Sequence, residues 1–445
     1  MREFESTFEE GLKKGLRREE FSPAKEQQLV ECWNLRPQPT GLQPIVSITN
    51  PFDETISWPW PQVMAGMNFR LLADETEIYT CDGSWATTSV IDTLTTGDCW
   101  DWADFGDFIL MTNGSQIVQR YGFTGVWSSF ASTAAIPAMK TICNFKGQVI
   151  AGNISSWHDC DSNYVAWSDI GSATFEPESL KNEAGYAIMP FNGEVLRVLP
   201  LGDVVIIYCE NGVAVMKPAK QYFGIAELLP VGIPWKGAVG SSDKGHTFVD
   251  YNGELWFLGS DLKPKKLGYQ EYISTLSAGD IMISCNDGEN EYYISDGTYC
   301  FLLTRQGLCQ VHQLPTSVAF IDGQLTGVFT AGSDLTGRAV TDILDFGIRS
   351  FKTISALELG IQSSSSVQAC VDWRSDINGT FQRSTWLESN PTGFVTPIVT
   401  ANDFRLCVRS SSYSDMQLRH IVARVKNVDR RAMRGVPVRG AGLRR

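Results

Sequence analysis

Asn-Gly and Asp-Gly pairs recur along this chain between short runs rich in Val, Ile, Phe, Tyr and Trp. Both residues of such a pair tolerate the positive φ values of a type I′ turn, so each pair predicts a tight β-hairpin. Because a single hairpin is barely stable in water, hairpins in series must pack together or close into a ring. The pairs are Asp82-Gly83, Asn113-Gly114, Asn211-Gly212, Asn252-Gly253, Asp287-Gly288, Asp296-Gly297 and Asp322-Gly323.

This pattern of turn signals and apolar runs predicts an all-β protein in four parts. Residues 1–55 form an N-terminal arm and Pro-rich crossing, and residues 56–345 form a β-propeller of about six divergent blades. The repeats lack the strict period and the His and Trp-Asp signatures of WD40 blades. Residues 346–428 form a C-terminal β-sandwich, and residues 429–445 form a basic tail. The sandwich strands are predicted at Ile354–Leu359, Val367–Val371, Phe404–Val408 and Ile421–Val425.

The N-terminal arm is rich in Glu, Lys and Arg as far as about Cys32. Phe4, Phe8, Leu12 and Leu16 recur at intervals of four and would share one stripe of an amphipathic helix. Such a helix could grip a neighbouring subunit or dock on its own subunit. The prolines that follow predict an extended crossing into the propeller; they are Pro37, Pro39, Pro44 and Pro51.

Charge is distributed unevenly along the chain. The net charge is -13, whereas residues 419–445 carry nine basic residues and one acid, a charge of +8 that leaves -21 on the remainder. An acidic body argues against a surface that grips nucleic acid throughout. The basic segment predicts an interaction surface, with a solvated extension as the alternative. The interface candidates are Arg424, Arg430, Arg431, Arg434, Arg439, Arg444 and Arg445.

The sequence shows neither a targeting signal nor a paired-cysteine motif. The start of the chain has no apolar signal segment, and no stretch approaches the length of a membrane span. The 11 cysteines contain no CxxC pair, and several, such as Cys209, Cys300 and Cys407, lie in apolar strand patterns. These features predict buried free thiols in a protein made in a reducing cytosol.

The strongest catalytic candidate is a run of aspartates next to aromatic residues, since carboxylates beside aromatics are typical of glycosidases. Its members are Asp98, Asp101, Asp104 and Asp107, interleaved with Trp100, Trp102 and Phe105. On strands or loops this spacing sets no defined separation between two carboxylates, and aspartate is common in exposed propeller turns. We therefore predict a non-enzymatic protein without catalytic residues.

A metal or cofactor site is not predicted either. His158, Asp159, Cys160 and Asp161 are metal-competent, but adjacent strand residues point to opposite faces and cannot all bind one ion. A calcium loop would need glycine where Tyr164 stands. With 4 histidines and no GxSxG elbow, a Ser-His pair is not indicated. The cluster is interpreted as a surface loop.

Several segments resemble the tail hub, or nozzle, protein of short-tailed phages, also called the packaged DNA stabilisation protein family. In the middle of the chain these are Tyr164–Asp169, Gly193, Val204–Ile207, Asn211–Met216, Trp235–Gly240 and Thr247–Gly259. Towards the C-terminus they are Val371–Asp376 and Gly379–Phe381. The resemblance covers about three quarters of the chain and excludes the charged arm before Trp33 and the segment after Asp429.

The resemblance implies a structural virion protein of the phage tail, made in the host cytoplasm. Such a protein forms a homo-oligomeric ring, expected here to be a hexamer, below the portal and adaptor. It retains packaged DNA and becomes the exit conduit during ejection. Expected partners are the adaptor, other tail proteins such as fibres or a needle, and viral DNA in transit. The alternatives are a receptor-binding or glycan-cleaving propeller, suggested by the run near Trp100, and a cytosolic propeller scaffold.

Overall fold

The computed structural model describes most of the chain. The described residues are 3–18, 28–50, 62–66, 69–73, 77–81, 87–91, 97–121, 127–130, 137–155, 157–178, 181–219, 222–321, 323–330, 336–347, 350–412 and 415–428. Neither of the two short α-helices in these ranges, α1 (Glu10–Lys14) and α2 (Gln270–Ile273), has the length and apolar character of a helix that crosses a bilayer.

The remaining elements are nearly all β-strands, which confirms the predicted all-β class. In the first half of the chain they are β1 (Glu3–Phe8), β2 (Leu29–Trp33), β3 (Leu35–Gln38), β4 (Gly41–Pro44), β5 (Gln62–Gly66), β6 (Phe69–Ala73), β7 (Ile78–Cys81), β8 (Thr87–Ile91), β9 (Asp101–Asp104), β10 (Phe108–Thr112), β11 (Ile117–Tyr121), β12 (Ser128–Ser129), β13 (Ala138–Phe145), β14 (Gln148–Ser155), β15 (Tyr164–Trp167), β16 (Gly185–Ile188), β17 (Val195–Leu201), β18 (Val204–Cys209), β19 (Gly212–Ala219) and β20 (Tyr222–Leu229).

In the second half they are a 3-10 turn (Lys236–Ala238), β21 (Val239–Ser242), β22 (Gly245–Val249), β23 (Leu255–Gly259), β24 (Pro264–Lys266), β25 (Met282–Asn286), β26 (Glu291–Ser295), β27 (Cys300–Leu303), β28 (Leu308–Val311), β29 (Leu314–Ile321), β30 (Gln324–Thr330), β31 (Gly337–Thr341), β32 (Lys352–Gln362), β33 (Val367–Arg374), β34 (Gln382–Arg383), β35 (Leu387–Glu388), β36 (Phe394–Val395), β37 (Val399–Ala401), β38 (Asp403–Ser410) and β39 (Gln417–Asn427).

The chain divides into two compact units. Unit 1 comprises residues 1–47, 301–312 and 332–445, and unit 2 comprises residues 48–300 and 313–331. This division differs from the predicted one, because the N-terminal segment belongs to the same unit as the C-terminal strands.

Unit 2 consists of small antiparallel sheets that follow one another along the chain. Its described residues form five four-stranded sheets, β5–β8, β9–β12, β13–β16, β17–β20 and β21–β24, and then the pairs β25–β26 and β29–β30. The run Val204–Cys209 in β18 is apolar throughout and buried at every position, as expected for a strand covered on both faces. Large clusters of buried side chains join successive sheets.

The first strand of each sheet packs beside the first strand of the next. β9 packs beside β13, β13 beside β17, β21 beside β25, β25 beside β29, and β29 beside β5. Hydrogen bonds supply two further contacts, from Gln62 to Trp100 and from Arg197 to Val239. The described part of unit 2 therefore closes into a ring of seven sheets, which confirms the predicted propeller and corrects the number of blades from about six to seven.

The last pair of the ring is completed by an earlier part of the chain. Thr49 donates its amide to the carbonyl of Leu325 at 2.9 Å and accepts from the amide of Gly327 at 3.0 Å. Ser317 on β29 also bonds the backbone of Val63 on β5. Residues from the start and end of unit 2 thus hydrogen-bond to each other, which holds the ring closed.

The hairpin positions were predicted better than the turn types. Asn113-Gly114 and Asn252-Gly253 do lie between consecutive strands, but only their glycines have positive φ, so neither pair forms a type I′ turn. Lys146-Gly147 does form one, with φ values of 52° and 86° between the paired residues Phe145 and Gln148. Lysine carries no turn signal, so this turn was missed. Asp82-Gly83 and Asp322 lie outside the described residues.

Unit 1 contains two sheets in its described residues. One has the order β3-β4-β39-β32-β36, with β1 also paired to β39 and β37 to β32. Within unit 1 the other has the order β27-β28-β2-β31-β38-β33-β34, with β35 also paired to β33. The four predicted sandwich strands are confirmed, since they lie within β32, β33, β38 and β39.

The predicted N-terminal helix is wrong over its first part and forms only as the short helix α1 (Glu10–Lys14). Residues Glu3–Phe8 form strand β1, which pairs along β39 from Glu3 opposite Lys426 to Phe8 opposite Ile421. Phe8, Leu12 and Leu16 are nevertheless fully buried, at 2%, 0% and 0% exposure. The strand prevails over the helix because its backbone groups pair with a distant strand while Phe8 still reaches the core.

Candidate functional site

The interface candidates fall into two groups. Arg424 lies on β39 with its Nε 3.2 Å from Glu5 and its Nη2 3.9 Å from Glu358. Its guanidinium also lies 5.1 Å from the ring centre of Phe394. Arg424 is therefore engaged within unit 1 by neighbouring strands. The other six candidates, Arg430, Arg431, Arg434, Arg439, Arg444 and Arg445, lie outside the described residues.

The aspartate and aromatic run borders a pocket of about 520 Å³ in unit 2. Its walls come from the inner strands of several sheets: Asp101, Trp102, Asp104, Ile142, Cys143, Asn144, Lys146, Gly147, Arg197, Leu199, Pro200 and Ser241. Asp101 and Asp104 are brought together here. Asp98 and Asp107 are exposed and do not line the pocket.

Asp101 is the centre of a buried polar network. Its Oδ2 accepts a hydrogen bond of 2.5 Å from Thr141 and lies 3.3 Å from the Lys236 ammonium, and its Oδ1 lies 3.2 Å from Nε of Arg197. Its side chain is 3% exposed, so its charge requires close partners. The partners come from β13, β17 and the turn before β21. Asp101 therefore ties four successive sheets together.

This network argues against acid–base catalysis by the two pocket carboxylates. Both oxygens of Asp101 already face cations or a hydroxyl donor, and Oδ1 of Asp104 accepts the amide of Gly106 at 2.7 Å. A general acid in a glycosidase must instead carry a transferable proton at the scissile bond. The structure gives these aspartates a positioning role in the fold.

A second buried tie joins neighbouring sheets of unit 2. His246 on β22 is fully buried, with Nδ1 3.0 Å from the hydroxyl of Tyr208 on β18 and Nε2 3.1 Å from the carbonyl of Pro200 on β17. Burial lowers the pKa of His246 from 6.5 to about 4. The imidazole is therefore neutral at neutral pH and serves as a structural hydrogen-bonding group.

In the part of the chain that the structure describes, metal-competent atoms do not converge at the predicted surface loop around His158. Nε2 of His158 lies 2.8 Å from a carboxylate oxygen of Glu176, and its ring stacks on Tyr186 with centres 5.6 Å apart. His158 and Asp159 both have positive φ, which suits a turn. The loop interpretation agrees with this geometry.

One group of metal-competent atoms does converge among the described residues, and sequence reasoning missed it. Cys370, Asp372 and Cys407 place a ligand atom each within 4.8 Å of one another on β33 and β38. Arg383, however, donates two hydrogen bonds of 2.7 Å to the two oxygens of Asp372. The two cysteines are 0% exposed in an apolar cluster. An ion pair beside a buried thiol pair accounts for this arrangement without a metal.

Arg197 and Lys236, the cations that hold Asp101, were also missed. Arg197 interrupts the otherwise apolar run Val195–Leu201, and a lone charge in a buried strand usually has a buried partner. That pattern could have marked Arg197. Its partner, by contrast, could not be read from the sequence, because Asp101 belongs to another sheet.

Comparisons with known proteins give no family. No protein-family model matches the chain, and no curated protein matches it. PorZ of Porphyromonas gingivalis, described as an essential bacterial surface component of the type-IX secretion system, is similar at 10% identity and TM-score 0.38. The match covers 66% of this chain and 36% of PorZ, so the chain spans little more than a third of that protein. YCF48, solved bound to D1 peptide, is similar at 10% identity and TM-score 0.41, covering 64% of this chain and 96% of that one.

Proposed function

We propose that this protein is a structural subunit of a short-tailed phage tail. In this proposal it forms the nozzle or hub ring below the portal and adaptor, retains packaged DNA and forms the conduit through which DNA leaves. The proposal rests on the sequence resemblance and on one structural observation. A strand at the edge of a sheet in unit 2 leaves its outer side without a partner strand among the described residues, and a neighbouring subunit could pair with it.

That strand is β20. Among the described residues it pairs only with β19, and its eight residues contain a single charge, Glu227. Tyr222, Gly224 and Ala226 are exposed, and Tyr222 is 68% exposed. Long apolar edge strands invite pairing with other chains, so proteins usually cover or charge them. A second copy of this chain is the partner that a ring would supply.

The tip of the same hairpin extends beyond its sheet. β18 pairs with β19 only as far as Val205 opposite Met216, whereas Lys217–Ala219 pair with Tyr222–Gly224 alone. A two-stranded ribbon is marginally stable by itself. Contact with a neighbouring subunit would stabilise it, which favours an oligomer over an isolated monomer.

Electrostatics supports a conduit function. A body of charge -21 repels DNA phosphates and would not retard their passage, and the basic C-terminal segment can bind acidic protein surfaces. We propose that this segment contacts the adaptor or the next subunit, and that fibres or a needle attach elsewhere on the ring. The pocket carboxylates are already engaged in ion pairs and hydrogen bonds, which fits a protein without catalytic activity.

The ring is tested by mass photometry and negative-stain electron microscopy of the purified protein. We expect closed rings of about six copies. The double variant Tyr222→Lys and Ala226→Lys should yield folded monomers, because two charges on the edge block strand pairing. Tyr299→Lys is the control, since Tyr299 is another tyrosine of unit 2 with 50% exposure. Monomers of the wild type would contradict the proposal.

The role of the basic segment is tested in assembled particles. Replacing Arg430, Arg431 and Arg434 by Glu should abolish tail attachment, because like charges would then face the acidic partner. The matched control replaces the same three residues by Lys, which keeps the charge. Infectious particles at wild-type yield from the Glu variant would refute this role.

A further inference from the structure

The pocket of unit 2 has a polar lining whose hydrogen-bond acceptors are largely occupied. The carboxylate of Asp101 accepts a hydrogen bond from Thr141 and forms ion pairs with Arg197 and Lys236 at 3.2 and 3.3 Å. The Asn144 side chain is also engaged, since its Oδ1 accepts the amide of Gly147 at 3.1 Å and its Nδ2 donates to the carbonyl of Asp104 at 2.6 Å. A ligand in this pocket would find few free acceptors for its own donors.

Several hydrogen-bond donors of the pocket, by contrast, have no protein acceptor among the described residues. Arg197 donates from Nη1 to the carbonyls of Lys236 and Val239, at 3.3 and 2.7 Å, whereas Nε lies 3.2 Å from Asp101 without forming a hydrogen bond and Nη2 has no such partner. The Ser241 hydroxyl and the Trp102 indole N–H likewise donate to none of the described residues. The Arg197 side chain is 12% exposed, so these donors lie in partly dry surroundings.

The charge balance of the network also favours an anion. Among the buried groups, Arg197 and Lys236 bring two positive charges to the single negative charge of Asp101, and the half-buried carboxylate of Asp104 at the pocket wall offsets part of this excess. Lys146 adds a further ammonium at the wall, although it lies 2.7 Å from exposed Asp203. Buried excess charge is costly, so a bound anion would be stabilised here more strongly than at the surface.

We infer that this pocket binds a small monocarboxylate, with the carboxylate on Nη2 of Arg197 and the hydroxyl of Ser241. A guanidinium is well suited to carboxylates because its N–H groups are fixed in a plane. The ring of Trp102, half-buried in the wall, offers an apolar face for the rest of the ligand. Asp104 also lines the pocket, and its negative charge disfavours a second carboxylate.

A matched series of sugars tests the carboxylate directly. D-glucose carries no carboxylate, D-glucuronate carries one and D-glucarate carries two. Binding is measured by saturation-transfer NMR and by quenching of tryptophan fluorescence. We expect glucuronate to bind at least about tenfold more tightly than either of the other two. Equal binding of glucose and glucuronate would overturn the inference.

A fourth probe, cyclohexanecarboxylate, shows whether the pocket recognises a sugar or an apolar ring next to the carboxylate. It has a ring and one carboxylate but no hydroxyl groups. If it binds as well as glucuronate, the pocket recognises the carboxylate and an apolar ring. If only glucuronate binds, the ligand is an acidic sugar. Either result supports a monocarboxylate site, and failure of both probes to bind folded protein would refute it.

Two variants link binding to the named donors. Arg197→Lys keeps the charge but removes the Nη2 donors, and it should weaken binding at least about tenfold. Ser241→Ala removes one hydroxyl outside the Asp101 network, and it should weaken binding about threefold without loss of stability. Ser115→Ala, an exposed serine on another loop of unit 2, is the control. Wild-type affinity in folded Ser241→Ala and Arg197→Lys proteins would overturn the assignment. The inference does not depend on ring formation.

Discussion

The two units stabilise their carboxylates in contrasting ways. In unit 2 the side chain of Asp101 is 3% exposed, and its partners Arg197 and Lys236 are 12% and 5% exposed and come from other sheets. In unit 1 the side chain of Asp372 is 10% exposed, but its partner Arg383 is 38% exposed and comes from the adjacent paired strand. The Asp101 network is thus buried and joins distant sheets, whereas the Asp372 pair joins adjacent strands and its arginine stays open to water.

The arginines of unit 1 add to this contrast. Arg374 and Arg405 lie over the ring of Phe381, at 4.9 and 4.4 Å, and Arg409 lies over Trp386 at 4.2 Å. Such contacts add modest stability while the charge stays partly hydrated. Neighbouring strands of a continuous sheet are joined by backbone hydrogen bonds, whereas the separate sheets of a ring are joined mainly by side-chain contacts. A ring therefore needs stronger side-chain interactions between its sheets.

The largest test of the contrast removes one carboxylate from each unit. Asp101→Ala should lower the free energy of unfolding by about 3–5 kcal/mol, because it leaves two buried cations without their anion. Asp372→Ala should cost about 1 kcal/mol, since Arg383 can turn to water. Urea denaturation monitored by circular dichroism gives both values. Equal losses in the two variants would contradict the difference between the units.

The next test concerns acid. The folded-state pKa of His246 is depressed to about 4, so His246 stabilises the fold above pH 6.5 and this contribution is lost as pH falls towards 4. The loss amounts to about 3 kcal/mol for a shift of this size. His246→Gln should show less loss of stability between pH 7 and pH 4 than the wild type.

The control for that test is His420→Gln in unit 1, where His420 is half-buried. Unfolding by urea is measured at half-unit steps of pH. A wild-type curve parallel to that of His246→Gln over this range would show that the imidazole does not sense acid through burial.

A smaller effect is expected at two turns with similar backbone angles. Lys146-Gly147 in unit 2 has φ values of 52° and 86°, and Phe346-Gly347 in unit 1 has 52° and 70°. Lys146→Asn should raise stability by roughly 0.5 kcal/mol, because asparagine tolerates this conformation better. Phe346→Asn should instead lower stability, since the Phe346 ring packs 5.9 Å from that of Phe404.

Thermal unfolding of the two variants gives opposite shifts of Tm if this reasoning holds. Lys263→Asn is the control for the first, since Lys263 lies in the same unit with ordinary φ. A gain at Lys263 as large as at Lys146 would show that turn conformation is not the cause.

The smallest effect is expected at Arg424. Its partners Glu5 and Glu358 are 60% and 37% exposed, so Arg424→Ala should change the free energy of unfolding by less than about 0.5 kcal/mol. Urea denaturation checks the value. A loss comparable to that of Asp101→Ala would place a buried tie in unit 1 and remove the contrast.

The propeller itself was predictable, because hairpin punctuation and apolar strands are local signals. The number of blades was not, since ring closure depends on contacts such as Thr49 with Leu325. The helix prediction for the N-terminal arm failed for a related reason. A spacing of four suits a helix for Phe4, Phe8, Leu12 and Leu16, and only the pairing of β1 with β39 reveals a strand.

The candidate site was half predictable. Trp102, Asp101 and Asp104 were identified as a group from their composition, and the structure places all three at one pocket. Their chemistry was not predictable, because it depends on Arg197 and Lys236. An exposed carboxylate on a turn is available for catalysis, whereas a carboxylate paired with two buried cations stabilises the fold.

The sequence by itself determined the β-class, the positions of many hairpins and the four long strands of the C-terminal region. Each of these follows from alternation and turn chemistry within about ten residues. Only the tertiary structure decided which charges are buried, which sheets they join and which donors are left for a ligand. Those properties arise when distant segments exclude water together, and no short stretch of sequence records that event.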